Sequence, residues 1–232
     1  MPLPHVLAKP VFHIFYLINR RLEGSTTPPI RRAIHPVQAE QRFAFDQLLD
    51  AVQQRGPNTL IDYNLPYPKS DCLNYLCDWR GFVLHGSNMP DLNVLEPIRK
   101  SKDKSEFGNR QQIFGSPDAI WAMWFAILDK GKYNSTRNGC VRVGVGPQRI
   151  KYYHFELPKS NQENHPFTEG TIYITQAIDF PDKRPFPLID YFHAEIEEWG
   201  STKPVTPLAR IRVRPEDFPY LDHVQFYLET EN

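Results

Sequence analysis

Apolar side chains recur along this chain with two different periods, and the change of period divides it. In residues 37–55, Phe43, Phe45, Leu48, Leu49 and Val52 return close to helical spacing and Gly56-Pro57 closes the run, which predicts an amphipathic helix. Leu73, Leu76 and Trp79 predict a shorter helix that Ser70 or Asp71 caps and Gly81 ends, leading into a strand over 82–84. Residues 118–128 are so dense in Trp121, Met123, Trp124, Phe125, Ile127 and Leu128 that a helix there must be largely buried, with Ser116 as its expected N-cap and Pro117 in its first turn. Beyond Gly131 the period falls to two, and strands are expected over 140–145, 151–157, 171–175, 208–213 and 224–228. The elements fit one α+β domain over 37–232. A proline-punctuated arm over 1–36 precedes it, with one ordered apolar segment, 11–18, expected to pack on the domain. Two connections stand out: a long polar loop over 88–111 and a proline-rich excursion over 179–190.

Composition narrows the picture. The 22 prolines favour many short strands with rigid connections. With 27 basic against 27 acidic side chains, no global field favours nucleic acid or a membrane. The apolar run 11–18 is shorter than the roughly 20 residues of a membrane span and Arg20-Arg21 follow it, so no membrane partner is expected. Cys72, Cys77 and Cys140 are odd in number and form no Cys-x-x-Cys pair, which argues against a disulfide scaffold or structural zinc and for a reducing, cytoplasmic location. No metal site is expected. The chain has no dinucleotide-binding glycine fingerprint, phosphate loop, His-Glu-x-x-His or nucleophile elbow, and Gly144-Val145-Gly146-Pro147 reads as a tight turn.

Candidate chemistry concentrates at strand ends. One strand finishes in His85-Gly86-Ser87, where the missing glycine side chain lets a ligand come close. A second, Ile113-Phe114-Gly115-Ser116, runs into the buried helix, and Glu169 stands immediately before the 171–175 strand. Arg210, Arg212 and Arg214 line one face of a late strand, as a charge-protected sheet edge or a phosphate-binding row; the edge is the preferred reading. Asp71, Asp78, Glu195, Glu197 and Glu198 show no spacing of a carboxylate pair, and His193 with Glu197 reads as a pairing on a helix surface.

Leu84-His85-Gly86-Ser87, the polar loop, the Phe114 to Ser116 strand end, Ala122-Met123-Trp124 and Glu169 before a strand together resemble the ADP-ribosyltransferase superfamily, in its His-Tyr-Glu, poly(ADP-ribose) polymerase-like branch. The resemblance implies split antiparallel β-sheets with flanking helices, NAD as substrate, and transfer of ADP-ribose to an acceptor, protein or nucleic acid. It implies His85 and Glu169 as catalytic residues, the first on a ribose hydroxyl and the second on the nicotinamide ribose. Gly86, Ser87, Phe114, Ser116 and Trp124 would bind the dinucleotide, with Trp124 standing where the family has a stacking Tyr. Two alternatives accompany it. A catalytically silent module of the same fold would bind a ligand or a protein. An enzyme similar to the RNA 2′-phosphotransferases would grip phosphates with His and Arg residues such as Arg80, Arg99 and Arg110.

Overall fold

A computed structural model describes residues 4–25, 27–98, 105–133, 135–144, 146, 149–186 and 189–229. At its centre lies the apolar helix expected from sequence, Ala119–Ile127, which we number α4 after α1 (His5–Leu22), α2 (Ala39–Arg55) and α3 (Lys69–Arg80). Ala119, Met123, Trp124, Ala126 and Ile127 are fully enclosed, because two sheets close on this helix from different sides. Its N-cap is Asp118, whose carboxylate accepts the backbone N–H of Trp121 at 2.7 Å. Ser116 instead donates its hydroxyl to the Glu197 carbonyl at 2.6 Å and accepts from the Asp118 N–H at 3.0 Å, so the expected cap is displaced by two residues.

The first sheet runs in the order β2 (Thr59–Ile61), β11 (Ala209–Val213), β7 (Gly170–Gln176), β3 (Phe82–Ser87), antiparallel except for the β2–β11 pair. Leu84, Ile172, Ile174, Ala209, Ile211 and Val213 point to one face, against α4 and the α2–α3 layer. At two positions α4 lies directly on backbone. A Cβ on Gly86 would fall on the Ala122 carbonyl and 2.8 Å from the Ala126 N, and one on Gly170 would fall on the Ala126 carbonyl. A small third sheet, β4 (Ile113–Gly115), β10 (Trp199–Ser201) and β8 (Asp182–Lys183), abuts the end of β3, where Leu84 and Ser116 exchange backbone hydrogen bonds at 2.8 Å. The 179–190 excursion thus contributes a strand, β8, together with the short α5 (Ile189–Phe192).

The second sheet is built on β6 (Ile150–Pro158). On one side β6 pairs with β5 (Arg137–Val143), which pairs with β9 (Ala194–Ile196). On the other it pairs end to end with β1 (Ile30–Ala33) and, in parallel, with β12 (Gln225–Tyr227). Alternation decides its two faces: Tyr153, Phe155 and Leu157 enter the core around Trp124, while Tyr152 meets Phe12 of α1 on the outer face. The 1–36 arm is therefore structural, since it supplies a strand and a helix to this sheet.

Three local expectations change. Phe43 and Trp79 are 63% and 43% exposed although both sit in apolar periodicity, because only one side of α2 and α3 meets the core. β11 is interior, flanked by β2 and β7, so its arginines do not guard an edge. His193 and Glu197 share no helix; they bracket β9. Gly144 and Gly146 take positive φ of 89° and 59°, in keeping with a tight turn there. The chain thus combines helices with several mainly antiparallel sheets, an α+β arrangement, and no helix among the described residues is long and apolar enough to cross a membrane.

Candidate functional site

Residues paired across an antiparallel ladder share a face, so the first sheet sorts the predicted residues in two. His85 opposes Tyr173, which opposes Arg210; one row further, Ser87 opposes Thr171, which opposes Arg212. All six lie on the face turned away from α4. Glu169 continues the same face two residues beyond Thr171 and pairs with Arg214 at 3.2 Å. Gly86 lies on the opposite face, and α4 carries Trp124 into the core beyond it.

His85 Nδ1 donates to the Phe114 carbonyl at 2.7 Å, which fixes the ring, and the ring lies 6.2 Å from that of Tyr173. Ser87 is buried and accepts the Met89 N–H at 3.1 Å. The chain after Ser87 then folds back over this face. The Tyr173 hydroxyl donates to the Met89 carbonyl at 2.6 Å and accepts the Leu92 N–H at 3.0 Å, pinning the turn across β7. At its apex Asp91, in left-handed backbone with φ 61°, presents its carboxylate to Arg210 at 3.1 Å and Arg212 at 3.3 Å. Arg212 also donates to the Thr171 hydroxyl at 3.2 Å, while Arg210 Nε is buried with no hydrogen-bond partner among the described residues. Three guanidiniums therefore share two carboxylates, Asp91 and Glu169, on a sheet face whose rim is open: Asp91 is 57% and Arg214 69% exposed.

The predicted dinucleotide set is split by this geometry. His85 and Glu169 share a face, but Glu169 stands four residues from the partner of His85 along β7, roughly 13 Å at about 3.3 Å per residue. Phe114 lends its carbonyl to His85 and its ring contacts Phe107 at 6.0 Å, and Ser116 is consumed by backbone contacts. The stacking role expected for Trp124 is corrected: its ring is fully buried between Phe155, Phe167 and Phe218, with centroids at 5.0, 6.0 and 5.9 Å. The close approach expected at Gly86 is made by α4, not by a ligand. Of the arginines nearer in sequence, Arg80 pairs with Asp46 and Arg110 with Glu106, and Arg99 lies outside the described residues, as do residues 100–104 of the polar loop. Two concavities, one apolar between α2, α3 and the first sheet and one polar beside Arg20 and Glu156, are not lined by any of these residues.

A second constellation was not foreseen. Lys151, 1% exposed, reaches Asp118 at 2.9 Å, Asp78 at 2.9 Å and Glu197 at 3.1 Å, all three carboxylates being at most 4% exposed. Arg32 adds a contact to Asp78 at 2.8 Å, Arg142 one to Glu197 at 2.8 Å, and the Tyr153 hydroxyl donates to Asp118 at 2.8 Å. Burial alone would lower the Lys151 pKa, but the charges of Asp118, Glu197 and Asp78 carry it well above its ordinary value. For Asp118 burial would raise the pKa, and Lys151, Arg32 and the Trp121 N–H outweigh it, so the carboxyl ends below the usual range. A lysine held as a permanent cation is no nucleophile or general base; this cluster joins α3, α4 and the second sheet. Its sequence signal is Lys151 itself, which takes the core-facing parity of Tyr153, Phe155 and Leu157. The three cysteines are buried and unbridged, and burial pushes the Cys72 thiol up to about 12 and those of Cys77 and Cys140 well above their ordinary value, so none is a ready nucleophile. Among the described residues no group of three His, Cys, Asp or Glu is placed to hold a metal ion.

Comparison with family models, with curated proteins and with solved structures finds no match to this chain.

Proposed function

We propose that the chain binds a phosphate-bearing nucleotide at the open rim of this face of the first sheet, with its phosphates on Arg212 and Arg210, and that the nucleotide is NAD, as the resemblance to ADP-ribosyltransferases implies. The observation that carries this reading is the convergence of Arg210 and Arg212 on the single carboxylate of Asp91, with Arg210 Nε left without a partner. A guanidinium pair facing one exposed anion in a partly dry setting is suited to a phosphate, which offers more acceptor oxygens than Asp91 does. His85, ring fixed by Phe114, stands one row along from Ser87 on the same face, within reach of a ribose.

The transferase step rests on Glu169. In ADP-ribosyl transfer the bond from C1′ of the ribose to the nicotinamide nitrogen breaks, nicotinamide leaves with the electron pair, and an acceptor nucleophile bonds to C1′. The positive charge that grows on the ribose favours a nearby carboxylate in the transition state more than in the ground state. Glu169 is half exposed and already paired with Arg214. That pairing, and the distance from His85, favour a second reading in which the fold binds the nucleotide without cleaving it.

Titration calorimetry with NAD and ADP-ribose tests the binding. Arg212→Gln is expected to weaken both by about tenfold or more, the worth of a charge-assisted contact. Equal affinity of the variant and the parent, or no binding by the parent, refutes the proposal. Release of nicotinamide by the parent and its loss in Glu169→Gln separate the enzyme from the silent binder.

A further inference from the structure

The outer face of the second sheet carries hydrogen-bonding groups that the fold leaves unused. Arg31 of β1 and Tyr152 of β6 are cross-strand partners, so both side chains stand on this face. Helix α1 crosses it with Phe12 and Tyr16 on the Tyr152 ring, at 5.3 and 5.7 Å between centroids. His13 follows Phe12 around the helix and brings its own ring to 5.8 Å from that of Tyr152. Arg31 adds its guanidinium, 5.7 Å from the centre of the same ring. Tyr152 is thus fully enclosed, yet its hydroxyl has no hydrogen-bond partner of ordinary geometry, and neither has the buried Nδ1 of His13. Buried polar atoms are seldom left so, and each calls for a partner that completes it.

The charge around these two atoms is one-sided. Residues 1–36 hold five Lys and Arg against one acidic residue, Glu23. Arg20 takes Glu23, and Arg32, on the opposite face of β1, goes to Asp78. Arg31 is exposed and makes no ion pair among the described residues, nor does Lys9, one helical turn before His13. The pKa of His13 is lowered by burial and then by Arg31; that of Tyr152 is raised by burial, against which Arg31 acts. No carboxylate contributes to either shift. A water molecule would satisfy the His13 nitrogen and the Tyr152 hydroxyl but leave the guanidinium unopposed. An oxyanion answers all three, because it accepts from a guanidinium, a phenol and an imidazolium at once.

We propose that Arg31, Tyr152 and His13 form an oxyanion site and that its ligand is a phosphate group. A phosphate offers more acceptor oxygens than a carboxylate, enough for the fork of Arg31 and for both ring groups. Arg31 stands at the exposed side, where an anion enters from solvent. His13 takes up a proton as the anion binds and donates through Nδ1, while Tyr152 donates its hydroxyl. The site belongs to the second sheet and does not depend on the nucleotide reading, which concerns the first.

NMR of the histidine Cε1 resonances in the full chain, with His13 assigned by His13→Gln, tests this. At constant ionic strength, replacing chloride by millimolar inorganic phosphate is expected to carry the His13 pKa from below its ordinary 6.5 to above it. Affinity read from the same resonance should fall by about tenfold or more in Arg31→Gln and by about fivefold in Tyr152→Phe, and acetate should bind about tenfold more weakly than phosphate. Arg31 is exposed, so its replacement leaves the fold intact, which circular dichroism checks. Arg212→Gln should not alter the response, since the nucleotide site lies on the other sheet. A His13 resonance that phosphate moves no more than chloride does overturns the proposal, the two buried atoms then holding water only. Undiminished affinity in Arg31→Gln, acetate binding as tight as phosphate binding, or loss of the response in Arg212→Gln overturns it as well.

Discussion

Replacing Lys151 by Met keeps the side chain's length and removes its charge from the middle of the buried cluster. Asp118 keeps the Tyr153 hydroxyl and the Trp121 N–H, Asp78 keeps Arg32 at 2.8 Å, and Glu197 keeps Arg142 at 2.8 Å. About one buried negative charge is thus left uncompensated, at a cost of about 3–5 kcal/mol. Against the ~5–15 kcal/mol that hold a domain folded this is a large share, and for a chain of this length it lowers Tm by roughly 6–20 °C. Urea denaturation followed by circular dichroism at pH 7 measures it. The sign with pH is fixed by Asp118. In the parent its pKa is depressed below 3.8, so its contribution is present above that value and is lost as pH falls through the folded pKa. In the variant Asp118 loses the largest charge that opposes its burial and keeps Arg32 at 3.6 Å, so its pKa rises relative to the parent and the folded state takes up protons at a higher pH. The gap between parent and variant must therefore narrow from pH 7 toward pH 5. Lys151→Met/Asp118→Asn removes both charges and leaves an oxygen to cap Trp121, so it should regain at least half of the loss. A loss under about 1 kcal/mol at pH 7, or a gap independent of pH, would show that the cluster is not an interdependent ion network.

Two further outcomes follow from packing and from burial. Gly86→Ala drives a methyl group into the α4 backbone at Ala122, which has no flexible end to yield, so the loss should reach or exceed the upper end of the ~1–3 kcal/mol of overpacking; a variant as stable as the parent in thermal melts would mean that α4 is not seated where it is described. His154 Nδ1 and the Tyr16 hydroxyl share a hydrogen bond at 2.6 Å, and the His154 pKa is lowered by burial, and then by Arg20, from 6.5 to about 3. The unfolded chain takes up a proton below about pH 6.5 that the folded chain refuses, so stability falls with pH at up to about 1.4 kcal/mol per unit, and His154→Gln should flatten that slope between pH 6.5 and 5 in denaturation curves.

Much of the fold was legible because it is local. The helix over 118–128 announces its burial by having almost no polar side, β6 and β11 show their two faces by alternation, and β7 announces a strand by its β-branched and aromatic residues. His85 and Glu169 could also be placed on strand ends from sequence. Which neighbour each strand takes was not legible, since pairing is settled by contacts far apart in the chain. That choice makes β11 interior rather than an edge and turns Arg210 and Arg212 from a solvated fringe into cations gathered on Asp91. The same holds for Gly86. Sequence says only that backbone can be approached there, and tertiary packing decides that α4 makes the approach, which places Trp124 in the core and leaves the polar face to His85, Thr171 and the arginines. Lys151 is the clearest case. Its parity on β6 requires it to point inward, but only the fold brings Asp78, Asp118 and Glu197, distant in sequence, within hydrogen-bond reach of a charge that could not otherwise remain buried.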